Sequence, residues 1–224
     1  MKKRINISKV LLQLVLVIIF TASMAGWADA DIVTIGLNTT YSGTSPAGST
    51  PWITATFIDV SPNTVQLTMT ANNLTGSEFV SGWYFNLTPS LDPINLTFTG
   101  VNTGAVGTTL ITNSTDCCKP DGDGQFDIRF DFPTAGDSGR FNTGESVVYN
   151  IYSTGLSASS FNAYNTPKVG NPFFTSAAHI QDGTSSGWIA ATTATVVPEP
   201  ISSTLFVIGG ALLGFRSIRK MKKA

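Results

Sequence analysis

Between residues 31 and 197, apolar and polar positions alternate in short runs, and no long stretch carries a helical period. The cleanest alternation is 64–71. Val65, Leu67, Met69 and Ala71 share one face, and Gln66, Thr68 and Thr70 share the other, which is the two-residue period of a half-buried strand. The run 52–60 alternates in the same way, and Ser61-Pro62-Asn63 separates the two as a turn, so 52–71 is predicted to be a hairpin. Phe126-Asp127-Ile128-Arg129-Phe130-Asp131-Phe132 predicts a strand with four large apolar residues on one face and three charged residues on the other, stopped by Pro133. Further strands are expected at 32–37, 79–87, 94–98, 146–154, 173–180 and 188–191, with 41–51 read as a loop. Nine or ten β-branched runs separated by Gly, Pro, Asn and Ser clusters predict an all-β domain, a jelly-roll-like β-sandwich over 31–196.

Two segments break this pattern, one at each end. Residues 1–30 read as a signal peptide with a signal helix: Lys2, Lys3, Arg4 and Lys9 precede an apolar stretch, 10–20, interrupted only by Gln13. Small residues offer cleavage after Ala25 or after Ala30. Ala28-Asp29-Ala30 fits the A-x-A pattern better and places the mature start at Asp31. Residues 197–224 hold Pro198-Glu199-Pro200, an apolar run 201–215 expected as a transmembrane helix, and the basic cluster Arg216, Arg219, Lys220, Lys222 and Lys223. As a helix those fifteen apolar residues reach roughly 22 Å, short of a hydrocarbon core of about 30 Å, so the flanking cations would snorkel or the bilayer would thin.

Charge sharpens the division. The whole chain of 224 residues carries −1, but only Lys119, Arg129, Arg140 and Lys168 stand against thirteen acids in 31–200, a net of −9. Such a body is a poor nucleic-acid ligand, because phosphate neutralisation needs clustered Lys and Arg. Basic residues outside both apolar segments place the acidic body across the membrane, in an oxidising compartment.

Candidate chemistry is sparse. In Asp121-Gly122-Asp123-Gly124-Gln125-Phe126-Asp127, carboxylates at alternating positions of a glycine-rich loop suit a hard cation, so Asp121, Asp123 and Asp127 are candidate Ca²⁺ ligands, with Asp116, Asp131 or Asp137 available to complete a shell. The competing reading is an Asp-Gly turn that opens the 126–132 strand. Cys117 and Cys118, the two cysteines of the chain, are candidates for a vicinal or intermolecular disulfide. His179, the single histidine, reads as a hydrogen-bonded structural residue, and no serine sits in a nucleophile-elbow sequence. Trp52, Trp83, Tyr84 and Trp188 are either a sugar-stacking face or core packing. Asn73, Asn86 and Asn95 each open an N-x-T triplet, which composition alone explains.

The three-part tail resembles the sorting signal of PEP-CTERM domain proteins, carried by Pro198-Glu199-Pro200, the apolar run with Gly209, Gly210 and Gly214, and the basic end. The resemblance covers about an eighth of the chain. It implies export by a Gram-negative bacterium, signal peptidase cleavage at the front and recognition of the tail by an exosortase, with a link to exopolysaccharide and biofilm matrix. Pro198, Glu199 and Pro200 are then substrate residues of another enzyme. The body also resembles such proteins around 121–133 and 176–189, a likeness that brings no catalytic activity with it. The expectation is an exported, non-enzymatic protein of the cell envelope or extracellular matrix. The alternative is a secreted polysaccharide-acting enzyme, or a calcium-dependent carbohydrate-binding module, on the same sandwich.

Overall fold

The structure is a computed structural model and describes residues 31–136 and 138–198. The expected signal helix, Asp137, Glu199, Pro200 and the expected transmembrane helix lie outside the described residues. Among the described residues no helix is long and apolar enough to cross a membrane.

Fourteen strands follow in order: β1 (Asp31–Leu37), β2 (Thr39–Gly43), β3 (Ile53–Ser61), β4 (Thr64–Thr70), β5 (Phe79–Phe85), β6 (Thr97–Asn102), β7 (Leu110–Cys118), β8 (Gly124–Asp131), β9 (Phe141–Asn142), β10 (Ser146–Tyr152), β11 (Thr166–Pro167), β12 (Ser176–Gln181), β13 (Ser186–Ala191) and β14 (Thr195–Pro198). They form two antiparallel sheets. One runs β14-β1-β3-β4-β10-β6. The other runs β11-β8-β5-β12-β13-β2, with β7 beside β8 and β9 beside β5. Val33, Ile35, Phe57, Leu67, Met69 and Ile151 of the first sheet share one core with Trp83, Phe85, Ile128, Phe130, Ile180 and Ile189 of the second. The architecture is a sandwich-like all-β fold.

The predicted 52–71 hairpin is present as β3–β4, paired from Thr54↔Thr70 to Ser61↔Thr64. Asn63 turns it at φ 64°, a left-handed conformation that Asn tolerates well. Val65, Leu67 and Met69 are fully buried, as their alternation requires.

Four features go beyond or depart from the alternation pattern. All seven residues of β5 are buried, because its sheet is covered on both faces. Trp83 and Phe85 enter the main core, while Tyr84 joins Cys118, Phe126, Phe174, Ala177 and Ala190 in a second apolar cluster. Phe126 therefore does not share the environment of Ile128, Phe130 and Phe132. The β5 pairing starts at Phe85↔Ile128, and residues before it pair instead with β11, through Thr166↔Gln125. In addition, β2 runs through 39–43 into the start of the expected loop, and Pro93–Asn95 is a 3₁₀ turn, so the strand expected at 94–98 starts at Thr97.

Carboxylates fasten the connections. Glu78 accepts the Ala47 N–H on Oε1 and the Thr75 N–H on Oε2, each at 2.7 Å. Glu145 accepts the Asn142 N–H at 2.6 Å. Asp92 caps the 3₁₀ turn through the Ile94 N–H at 3.1 Å. Asp182 closes the β12–β13 hairpin by accepting the Thr184 and Ser185 N–H groups at 2.7 and 2.6 Å, and these bonds hold its carboxyl well below the usual carboxylate range. Asp59 accepts the Ala158 N–H on Oδ1 at 2.8 Å and the Asp31 N–H on Oδ2 at 3.1 Å.

Phe57 is fully buried in the core, edge-on to Phe85 with centroids 5.4 Å apart and stacked on Phe161 at 4.2 Å. Truncating it leaves a cavity between the sheets. Phe57→Ala is expected to cost about 3–5 kcal/mol in urea unfolding, against less than about 0.5 kcal/mol for exposed Val101→Ala. A Phe57→Ala cost below about 1 kcal/mol would place the core elsewhere.

Candidate functional site

The sequence candidates meet beside β8, but on two different surfaces. Asp127 is half-buried and uses both oxygens on backbone: Oδ2 accepts the Leu87 N–H at 3.0 Å and Oδ1 the Asp116 N–H at 2.9 Å. It ties the exit of β5 and the end of β7 to β8. Asp116 is left-handed at φ 53°, and its carbonyl accepts the Gln125 side-chain amide at 3.0 Å. Between Asn113↔Ile128 and Cys118↔Phe126 the β7 chain advances further than β8, so 114–117 bulges out of the ladder.

The bulge and the chain after β5 border a groove of about 240 Å³. Leu87, Pro89, Thr115, Asp116, Asp127 and Tyr164 line it, giving a floor that is part apolar and part polar. Tyr164 is 54% exposed and meets Phe173, 58% exposed, edge to face with centroids 6.0 Å apart. This pair is held out by Asn165, a buried residue whose N–H donates to the Phe174 carbonyl at 2.9 Å and whose Oδ1 accepts the Phe174 N–H at 2.8 Å. Gly124 permits the approach. It adopts φ 151°, and a Cβ there would collide with the Asn165 amide and lie 2.9 Å from the Thr166 carbonyl oxygen.

Asp121 and Asp123 lie toward the other surface, the second apolar cluster. Asp123 accepts a hydrogen bond from the Asn171 side chain, and its carboxyl is raised above the usual range by burial first and then by the Asp121 charge, against the pull of Lys168. The Tyr41 hydroxyl, buried and without a hydrogen-bond partner among the described residues, is pushed far up by burial, with Asp123 and Asp121 adding to it. Among the described residues no three His, Cys, Asp or Glu side chains are placed to hold a metal ion together. The structure brings Asp121 and Asp123 within electrostatic reach of each other and commits Asp127 to backbone amides.

Cys117 and Cys118 are bonded to each other as a vicinal disulfide, Cys117 exposed and Cys118 buried in the second cluster. His179 shares Nδ1 with the Ser81 hydroxyl at 2.9 Å and stacks on Trp188 with centroids 4.3 Å apart; burial lowers its pKa. Trp52, Trp83 and Tyr84 are buried, so they offer no sugar-stacking face. Asn86 is 2% exposed and gives its side-chain amide to the Phe174 and Thr175 carbonyls, which closes that N-x-T triplet to modification in the folded chain. Pro198 ends β14, paired with Asp31; Glu199 and Pro200 lie outside the described residues. Sequence reasoning did not single out Tyr164 and Phe173. Their only signal is two large rings in the polar, turn-rich stretch 162–173.

Asp127→Asn turns one of the two acceptors into a donor facing a backbone N–H. It is expected to lower unfolding stability by about 1–3 kcal/mol, whereas exposed Asp121→Asn stays within about 0.5 kcal/mol. Equal effects in thermal melts would mean that Asp127 holds nothing in place. Compared with family models, with curated proteins and with solved structures, the chain finds no match.

Proposed function

We propose that this chain is an exported, non-enzymatic protein of the cell envelope or extracellular matrix, delivered by a signal peptide and a PEP-CTERM tail that an exosortase recognises at Pro198, Glu199 and Pro200. Its body is read as a jelly-roll-like sandwich with a binding or structural role in an exopolysaccharide or biofilm matrix. The observation that carries this reading is the antiparallel pairing of Asp31 with Pro198. The front and the back of the body meet on neighbouring strands, and among the described residues every buried apolar residue of the core lies between Val33 and Ala191. Processing at both ends would therefore act next to this pair of strands.

The groove supplies the binding element. Hydroxyl-rich chains are held by flat rings beside hydrogen-bonding groups, and Tyr164 stands next to Thr115, Asp116 and Asp127 in that arrangement. Calcium enters this reading only through Asp121 and Asp123, since Asp127 already serves two amides. The enzymatic alternative has one observation in its favour, that Asp116 and Asp127 line the same groove. A glycosidase would need one of them free to exchange protons with the substrate.

Two outcomes are expected. Expressed in hosts with and without an exosortase, the chain should differ in mass by loss of tail residues only where the enzyme is present; an intact tail in both removes the sorting reading. On a glycan array, the purified chain should bind acidic or neutral polysaccharide without cleaving it, and Tyr164→Ala should weaken binding about tenfold, a loss of roughly 1.4 kcal/mol. Released oligosaccharide would favour the enzyme. Binding and melting that ignore both added Ca²⁺ and EDTA would drop calcium from the reading.

A further inference from the structure

We infer that Asp59 is a built-in receptor for the α-amino group created when the signal peptide is removed after Ala30, so that maturation adds an ion pair to the fold. The inference rests on the export reading and goes beyond it. The backbone nitrogen of Asp31 lies 3.1 Å from Asp59 Oδ2. In the uncut chain that nitrogen is a peptide amide, one neutral donor. Hydrolysis by signal peptidase adds water across the Ala30–Asp31 bond: the C–N bond breaks, the water oxygen goes to Ala30, which leaves as a carboxylate, and both water protons end on the Asp31 nitrogen, turning its N–H into an ammonium. A free α-amino group ordinarily titrates near about 7.7–8.0, so at neutral pH the new terminus is largely charged. Cleavage thus puts a positive charge and three donors where a carboxylate already accepts a bond. Charge-assisted bonds of this kind are roughly twice as strong as neutral ones.

The position of Asp59 carries that charge into the fold. Its other oxygen holds the Ala158 N–H at 2.8 Å, at the start of the 3₁₀ turn Ala158–Phe161. Phe161 in that turn stacks on Phe57 in the core. Asp59 itself sits where the β3–β4 register shifts, which leaves its side chain room to reach both partners. On the other side, Asp31 pairs with Pro198 of β14. One carboxylate therefore joins the first residue of the mature chain to the core, next to the strand that leads to the sorting tail. The acid is already satisfied before cleavage and gains strength from it, so the processed form is the tighter one.

The test uses the full chain, exported and extracted from membranes, in four forms: wild type, Asp59→Asn, a chain blocked at both candidate sites (Ser23→Phe and Ala25→Phe with Ala28→Phe and Ala30→Phe), and the combination. N-terminal sequencing defines each mature end, and the temperature of half-digestion by thermolysin reads stability. Asp59→Asn should lower that temperature by about 3–6 °C more in the processed chain than in the blocked one. Equal losses in both backgrounds would make Asp59 a plain amide acceptor and overturn the inference while leaving export intact. A mature end at Gly26 overturns it as well, and absence of any cleavage overturns the export reading too. A second readout needs no variant. In the processed wild type, an amine-reactive ester should label the Asp31 α-amine at least about tenfold more slowly than in urea, and labelling at the unfolded rate would also overturn the inference.

Discussion

Carboxylates bonded to backbone amides hold this fold in its particular shape. The sheets supply the core, but many of the connections are polar, and several strands are short or lie at sheet edges. The vicinal disulfide joins neighbouring residues and so closes no long loop, which leaves the connections without a covalent staple. Asp59, Glu78, Asp92, Asp127, Glu145 and Asp182 take over that task, each accepting at least one loop or turn N–H. For the half-buried Asp59 and Asp127, hydrogen bonds to a charged group are worth about 1.5–3 kcal/mol each, and a domain retains only about 5–15 kcal/mol in total. A handful of such bonds is therefore a large part of what separates the ordered loops from frayed ones.

This use of acids explains the charge of the body and bounds its chemistry. A net of −9 invites readings as a cation site or an acid–base pair. Asp127 shows why such readings narrow in three dimensions: a carboxylate with both oxygens on amides of separate segments is positioned as a brace. Bracing also shapes the groove, because Asp127 fixes both Leu87 and Asp116, which form part of its wall. Of the three carboxylates in the 121–127 loop, Asp121 and Asp123 are the two not given to backbone amides among the described residues.

Much of the fold was legible in the sequence because alternation is a direct imprint of one buried face. The β3–β4 hairpin and the buried stripe Val65, Leu67 and Met69 follow from it. The pattern failed where a strand is buried on both faces or on neither. The β5 segment FVSGWYF carries no clean alternation because Tyr84 has its own apolar cluster. The β7 segment LITNSTDCC is not among the expected strands, because an edge strand buries little. Phe126 misled because parity along a strand assumes a regular ladder, and the β7–β8 register shifts between Asn113↔Ile128 and Cys118↔Phe126. The candidate site was harder still. Its acids are visible as residue types, but their amide partners lie 11 and 40 positions away for Asp127 and 99 for the Ala158 contact of Asp59. No local pattern encodes such separations, nor the exposure of Tyr164 and Phe173.

Residue-resolved amide hydrogen exchange on the folded chain tests the bracing most directly. The N–H groups of Ala47, Thr75, Leu87, Asp116 and Ala158 are outside regular strand ladders or at their ends, yet each donates to a carboxylate. They should exchange at least about a hundredfold more slowly than loop amides in free solution, approaching the protection of the central strands β3 and β4. Exchange of these five amides at the rate of unprotected loops would contradict the account.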